Sequence, residues 1–293
     1  MDGNETRIAA LPFWHGDVDL APLFGGLSNL SYLATDRSGK YVVRIARDFP
    51  FHQVYREREV VTARAAHAAG FAPELVHAEP GLMVSRYVEG RALTAPEVRA
   101  GLPQIANLLA RFHRDMPAHI GDSRFAFQPA RANRDYLDLL DGHLNAGELN
   151  RWRTLNDEMA AAAQLDLPTI FGHHDLLAAN FIDDGTRLWL IDYEYAGFGT
   201  PMFDLANLSS NAAFSADESR QLLEAYFGKR PDAAMLRAHA AMQCVSLLRE
   251  MLWSHVSAIH LDAPGADYAG YAAQNHRRLE AAITAGHSDL GGA

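Results

Sequence analysis

The chain is poor in cysteine, in positive charge and in long apolar runs. One cysteine, Cys244, stands among 293 residues, which excludes an internal disulfide and a cysteine zinc cage and fits a reducing cytoplasm. No stretch reaches the roughly 18 consecutive apolar residues of a membrane-spanning helix, so no membrane insertion is expected. Asp2, Glu5 and Arg7 break up the first ten residues, which hold no apolar run, so no secretory leader is expected. Lys and Arg number 26 against 36 Asp and Glu, a formal net charge of -10. A chain this acidic has no global attraction for nucleic acid or anionic lipid, although a local basic site stays open. Internal repeats and low-complexity tracts are missing as well.

What is present is an ordinary globular composition, 48% hydrophobic and 21% charged, with enough length to bury a sizeable core. At roughly 100–200 residues per domain, the chain forms two domains or one domain with two lobes. Leu30 to Thr35, the turn Asp36-Arg37-Ser38-Gly39 and Tyr41 to Ile45 read as a β-hairpin. Gln53 to Ala69 is rich in Ala, Glu and Arg and free of Gly and Pro, and reads as a helix stopped by Gly70. Leu82 to Tyr87 reads as a further strand. After it the period becomes helical. Pro96 to Met116 repeats Ile105, Leu108, Leu109 and Phe112 at helical spacing, and Asn133 to Ala163 reads as helix broken near Gly142 and Gly147. Short strands are expected at 169–172, 180–182 and 188–191, and helix again from Phe203 onward. The expected class is α+β, with a small antiparallel-sheet lobe over residues 1–88 and a larger, mainly helical lobe over residues 89–293. No flexible linker marks the boundary.

The most informative segment is Gly172-His173-His174-Asp175-Leu176-Leu177-Ala178-Ala179-Asn180, followed by Leu190-Ile191-Asp192-Tyr193-Glu194-Tyr195. It sets a His-x-Asp, an Asn five residues after that Asp, and an Asp closing an apolar strand. The spacing suits phosphoryl transfer. One carboxylate must stand beside the attacking hydroxyl, while an amide oxygen and a second carboxylate reach magnesium on the triphosphate. Turn-capping Asp and Asn would account for any one of these residues alone. The whole arrangement between apolar strands is harder to explain that way. Arg44 raises a separate question. In mid-strand it is costly to bury without an anionic partner, so it either points to solvent from an edge or meets phosphate.

These segments resemble the choline/ethanolamine kinase family of the aminoglycoside-phosphotransferase-like group, which shares the protein-kinase fold. Phe24-Gly25-Gly26-Leu27-Ser28-Asn29-Leu30 resembles the nucleotide loop of that family. Val42-Val43-Arg44-Ile45 resembles its strand with a phosphate-binding cation, Arg86-Tyr87-Val88-Glu89-Gly90 its interlobe hinge, and Ile191-Asp192-Tyr193-Glu194-Tyr195-Ala196-Gly197 its Ile-Asp-aromatic-Glu-Tyr signature. The resemblance covers about residues 20–285. It implies a protein-kinase-like two-lobe fold and an ATP- and Mg2+-dependent phosphotransferase. Gly25, Gly26, Ser28, Asn29, Arg44, Glu59, Arg86 and Val88 would hold the nucleotide, and Asn180 and Asp192 the metal. Asp175 would orient or deprotonate the acceptor hydroxyl, with His173 bracing the loop. Glu59 is the expected partner of Arg44, with Glu57 as the fallback. Asp204 ties down the catalytic loop or caps the helix that follows. His174 departs from the commoner family Asn.

The implied acceptor is a small alcohol, choline or a related amino alcohol. A quaternary ammonium is recognised by aromatic faces and a carboxylate, and Glu194, Tyr195, Trp253 and Tyr271 are the candidates, with Tyr193, Phe198 and Tyr268 behind them. A family tryptophan near Trp253 is Glu250 here, a departure that favours a primary amine or shifts selectivity. Aromatics at helical spacing are also what a core requires. An aminoglycoside, thiamine or thio-sugar acceptor, a nucleotide-binding pseudokinase, the choice of ATP or GTP and a homodimer all stay open at this level.

Overall fold

The structure is a computed structural model and describes residues 3–23, 30–121, 124–261 and 265–290. It has the two-lobed α+β architecture that the pattern predicts. The smaller lobe opens with helix α1 (Gly3–Ala9) and continues through strands β1 (Asp19–Leu23), β2 (Leu30–Asp36) and β3 (Gly39–Ile45). Helix α2 (Arg56–Ala68) crosses to β4 (Leu75–Glu79) and β5 (Leu82–Arg86). The five strands form one antiparallel sheet in the order β1-β2-β3-β5-β4. Strand β3 is therefore central, flanked by β2 and β5. Successive side chains of a strand face opposite ways. Tyr41 and Val43 pack with Ile8, Leu11, Tyr32 and Val84 on the outer face, and Val42 and Arg44 line the inner one. A centrally placed, inward Arg44 is not an edge-strand arginine in solvent.

The chain leaves the sheet at Arg86 and enters the larger lobe through β6 (Arg91–Ala92). Gly90 passes so close to the next strands that an added Cβ would lie 2.6 Å from the Asp183 carbonyl oxygen. Helices α3 (Ala95–Ala100), α4 (Leu102–Ile120), α5 (Pro129–Leu139) and α6 (Ala146–Ala162) follow. Where the sequence reads as one helix from Pro96, the chain makes two. Gly101 closes the first, and Pro103 sits in the first turn of the second, where its missing N–H costs no hydrogen bond. The break near Gly142 is real, whereas Gly147 lies inside α6 under the Asn145 cap.

Four short strands then build the floor of the interlobe cleft: β7 (Ile170–Gly172), β8 (Phe181–Asp183), β9 (Leu188–Leu190) and β10 (Gly197–Gly199). β7 pairs with β10, and β8 joins β6 to β9. Helices α7 (Pro201–Asn211), α8 (Ala216–Phe227), α9 (Ala233–His260) and α10 (Tyr268–Leu290) complete the lobe. The 28-residue α9 is its axis, packed by α5, α6, α7 and α10. Cys244 is buried on it, and burial pushes the thiol pKa up to about 11. Among the described residues no helix is long and apolar enough to cross a membrane.

Candidate active site

The two strand pairs of the floor bring two loops together. Residues 173–180 connect β7 to β8, and residues 191–196 connect β9 to β10. Because β8 pairs with β9, Asn180 and Asp192 emerge side by side: the Ile191 N–H donates to the Asn180 carbonyl at 3.1 Å. His173 ties the loops again, with Nε2 2.9 Å from the Ile191 carbonyl oxygen. Its Nδ1 accepts the Asp175 N–H at 3.3 Å. With one nitrogen on a carbonyl and the other on an N–H, the ring is neutral and protonated on Nε2. Burial depresses its pKa further. His173 therefore braces the loop as a neutral imidazole with both ring nitrogens engaged.

The loop backbone is fixed from below by Asp204, in the first turn of α7. Its carboxylate accepts the His173 N–H at 2.8 Å and the His174 N–H at 2.7 Å. A third bond comes from His113 Nε2 at 2.8 Å, and His113 Nδ1 in turn lies 2.7 Å from the Tyr226 hydroxyl. Burial opposes the Asp204 charge, but the three histidines and these bonds hold its carboxyl far below the usual range. His174 has a left-handed φ of 63°. Its imidazole stacks on Phe127 (centroids 4.7 Å apart) and presses on Gly172 and Gly199. Burial lowers its pKa to about 4. An asparagine at this position would leave that space unfilled.

Asp175 is half-buried at the head of this loop. Burial raises its pKa well above the usual carboxylate value. Arg249 opposes the rise, while Glu250, Asp192 and Glu194 add to it. Asn180 donates its side-chain N–H to the Asp175 carbonyl at 2.8 Å, which turns its amide oxygen away from that bond. Asp192 also has a left-handed φ, 70°, a conformation Asp tolerates better than most residues. Its carboxylate accepts from Arg44 at 2.9 Å. Burial opposes the Asp192 charge, and Arg44 outweighs it, holding the carboxyl below the usual range.

Arg44 also pairs with Glu59, while Glu57 is exposed. Glu59 takes a second arginine, Arg56, at 2.6 Å, and Arg56 reaches Glu194 at 3.0 Å. Asp192, Arg44, Glu59, Arg56 and Glu194 thus form one alternating chain of charges from α2 and β3 to the floor. Glu194 is a link in that chain rather than a bare carboxylate. Burial, then Asp192 and Glu59, raise its pKa to about 7 against the pull of Arg56 and Arg44. Beside this chain, under the hinge, lies a cavity of about 130 Å³. Val42, Ala72, Met83, Val88, Ile182 and Ile191 give it apolar walls, and Arg44, Glu59 and Asp192 its polar side. Arg86 lines it too, but its guanidinium turns back over the Tyr41 ring, 5.0 Å from the centroid, and bonds the Tyr41 hydroxyl at 3.1 Å. Gly25, Gly26, Ser28 and Asn29 lie in the segment 24–29, outside the described residues.

On the other side of Asp175, α9 and α10 bring the aromatics together. Trp253 donates its indole N–H to the Tyr195 hydroxyl at 3.1 Å, and Tyr271 donates its hydroxyl to Glu250 at 2.9 Å. The Trp253 and Tyr271 rings meet edge-on at 6.3 Å. Tyr193 and Phe198 do not join them. Tyr193 is buried with its hydroxyl on the Leu190 carbonyl, and Phe198 packs edge-on against Phe171. Two of the buried arginines join the site and were not anticipated from the sequence. Arg56 completes the charge chain. Arg249 pairs with Glu250 at 2.9 Å and lies over the Tyr195 ring, 4.2 Å from its centroid. An Arg-Glu pair inside the apolar run Val245 to Leu252 was the available signal, since such charges are buried only with partners.

Comparison with known proteins places this geometry. A family model described as "Phosphotransferase enzyme family" matches residues 19–240. Protein LicA of Haemophilus influenzae is 26% identical over 278 residues, spanning 88% of this chain and 77% of LicA. A choline/ethanolamine kinase family protein from Mesorhizobium loti superposes with a TM-score of 0.75 at 29% identity, over 97% of this chain and 95% of that one. Choline kinase LicA from Streptococcus pneumoniae shares the fold with a TM-score of 0.79 at 21% identity, over 96% and 98% of the two chains. The chain belongs to the phosphotransferase enzyme family, and within it is similar to proteins described as LicA and as a choline/ethanolamine kinase family protein.

Proposed function

We propose that the protein transfers the terminal phosphoryl group of ATP to the hydroxyl of choline or a closely related amino alcohol, with Mg2+ as cofactor. One observation carries the reading: Asp175, Asn180 and Asp192 converge from two paired loops against the Arg44–Glu59 ion pair, between an apolar cavity and an aromatic cluster. The cavity suits a purine, with Tyr87 and Val88 among its lining residues. Arg44 and the segment with Gly25, Gly26, Ser28 and Asn29 take the phosphates. Arg86 gives its side chain to Tyr41 and its N–H to the Glu74 carbonyl, so its part is confined to the wall of the cavity.

Asn180 and Asp192 offer an amide oxygen and a carboxylate. This sparse set of hard oxygen donors fits Mg2+, which keeps waters and substrate oxygens as its other ligands. Among the described residues no group of three or more His, Cys, Asp or Glu offers a different metal cage. When bound, the cation neutralises phosphate charge. The protein's own part is positioning and electrostatics. Asp175 accepts a hydrogen bond from the acceptor hydroxyl and takes its proton as the bond to phosphorus forms, a task its raised basicity suits. Trp253 and Tyr271 supply aromatic surface for the ammonium group, Tyr195 holds the indole from behind, and Glu250, bonded to the Tyr271 hydroxyl, supplies the carboxyl beside them. Nothing in this scheme needs a second subunit, nucleic acid or a membrane, and a cytoplasmic setting suits its substrates.

Initial rates with ATP and Mg2+ against choline, ethanolamine and an aminoglycoside panel test the acceptor. Turnover is expected with the amino alcohols; a preference for aminoglycosides would overturn the assignment. Asp175→Ala and Asp192→Ala are expected to lower kcat by about 10²–10⁴-fold with the fold intact. Near-wild-type phosphorylation by either variant would remove its residue from the mechanism.

A further inference from the structure

The loop joining β3 to α2 belongs to the smaller lobe, yet its tip is built into the larger one. Pro50–His52 forms a single 3₁₀ turn, closed by Gln53 at a left-handed φ of 58°. Gln53 donates to Asp135 at 2.6 Å, and the Phe51 ring stacks on His260 with centroids 4.9 Å apart. His52 goes deepest and is only 3% exposed. Its Nδ1 lies 3.1 Å from the Tyr136 hydroxyl on α5, and its Nε2 2.9 Å from the Ser257 hydroxyl on α9. Its ring lies against Trp253, with centroids 5.2 Å apart and planes 23° from parallel.

Trp253 is held on a second side by its bond to Tyr195, and Tyr195 bonds Tyr136 in turn. His52, Tyr136, Tyr195 and Trp253 therefore close a ring of three polar contacts and one stack. An indole held in this way has one orientation. One face is covered by His52, and the rings of Tyr268 and Tyr271 stand nearly perpendicular to the indole, at 5.9 and 6.3 Å.

We propose that His52 is a positioning residue of the acceptor site, a wall supplied by the smaller lobe that backs Trp253 and sets the plane that its opposite face presents to the ammonium group. The inference rests on the acceptor-site reading above. The imidazole suits the task in two ways. It is flat, so it fixes the indole plane by stacking. It is also neutral, because burial, with Arg249 and His260 nearby, lowers its pKa to about 3. A cation behind the indole would repel the one in front. Arg56 and Glu59 follow in the same stretch of chain, so the segment that sets Trp253 leads directly into the helix that holds Arg44.

Steady-state kinetics of the full chain with Mg-ATP and choline, repeated with ethanolamine, test the proposal. His52→Ala is expected to raise the acceptor KM about five- to tenfold, with the ATP KM and kcat within about twofold. His52→Phe keeps a ring under the indole and gives up both hydroxyl partners. It is expected to lower the melting temperature, yet to return the acceptor KM to within about twofold of wild type. A residue that merely supported the fold would follow the melting temperature instead. If His52→Ala does not fold, Ser257→Ala gives the same readout, with an expected rise of about three- to fivefold. Trp253→Leu separates the two levels of inference. An unchanged acceptor KM there would refute the acceptor site itself. A raised KM there, beside an unchanged one in His52→Ala or an equally raised one in His52→Phe, would overturn the role of His52 alone.

Discussion

Replacing Asp204 with Asn tests whether the catalytic loop is held by one buried carboxylate. In the native site its two oxygens take three donors, the N–H groups of His173 and His174 and Nε2 of His113. Asparagine has the same shape but only one acceptor oxygen, and its NH2 group must face a donor that the carboxylate accepted. A lost charge-assisted bond and a buried unsatisfied N–H together cost about 3–5 kcal/mol. For a chain of this size the melting temperature should fall by roughly 5–15 °C. The loop carrying Asp175 would lose its anchor, and a displacement near 1 Å costs about a hundredfold in kcat/KM.

The pH dependence has a defined sign. The folded pKa of Asp204 is depressed, so its contribution is present in full above the unfolded carboxylate range and is lost only as the pH falls toward the folded value. The gap in melting temperature between wild type and variant should be flat above about pH 5 and narrow below about pH 4. A double-mutant cycle with His113→Gln should give a coupling of about 1–3 kcal/mol. An Asp204→Asn protein that melted within about 2 °C of wild type and kept its kcat/KM would refute the anchoring argument.

Acid should unfold the protein through its buried neutral histidines. Burial lowers the pKa values of His52, His174 and His239 to about 3, 4 and 4. Near pH 5 these three histidines bind about three more protons in the unfolded chain, while Glu194 and Asp175, whose pKa values are raised, keep their protons in the native one and offset part of that difference. Stability should drop by about 1–3 kcal/mol per pH unit in that window, with a shallower slope in His239→Phe as measured by chemical denaturation. Arg249→Met leaves Glu250 buried without its counter-charge and should cost about 3–5 kcal/mol, whereas Arg249→Met/Glu250→Leu should recover most of that loss in a thermal melt. A double variant no more stable than the single one would show that the ion pair is not the unit that matters.

The sequence made the site legible where a residue was out of keeping with its surroundings. Arg44 in an apolar strand needed an anion, and Glu59 on the following helix provides it. Asp175, Asn180 and Asp192 could be read together because two-stranded pairing over so short a span leaves the loops few ways to go. Strands β1 and β4 were not anticipated, and they are the two edges of the sheet. Edge strands are half-exposed and lose the alternating pattern, and β1 carries Pro22, which only an edge tolerates. Arg56 looked like an ordinary charge on an exposed helix turn. Its burial depends on Glu194, 138 residues away, and no local pattern carries that information. The covering of Trp253 by His52 is hidden in the same way, since it joins residues of different lobes.

Cys244 gives the molecule a practical property. Its thiol is shielded within α9 and reluctant to ionise, and thiolate is the reactive species. A maleimide dye should therefore ignore the native protein and react only once the chain is denatured. One engineered surface cysteine on each side of the hinge would then be the only sites to take up fluorophores. Energy transfer between them would report the opening and closing of the cleft without any need to remove the native thiol.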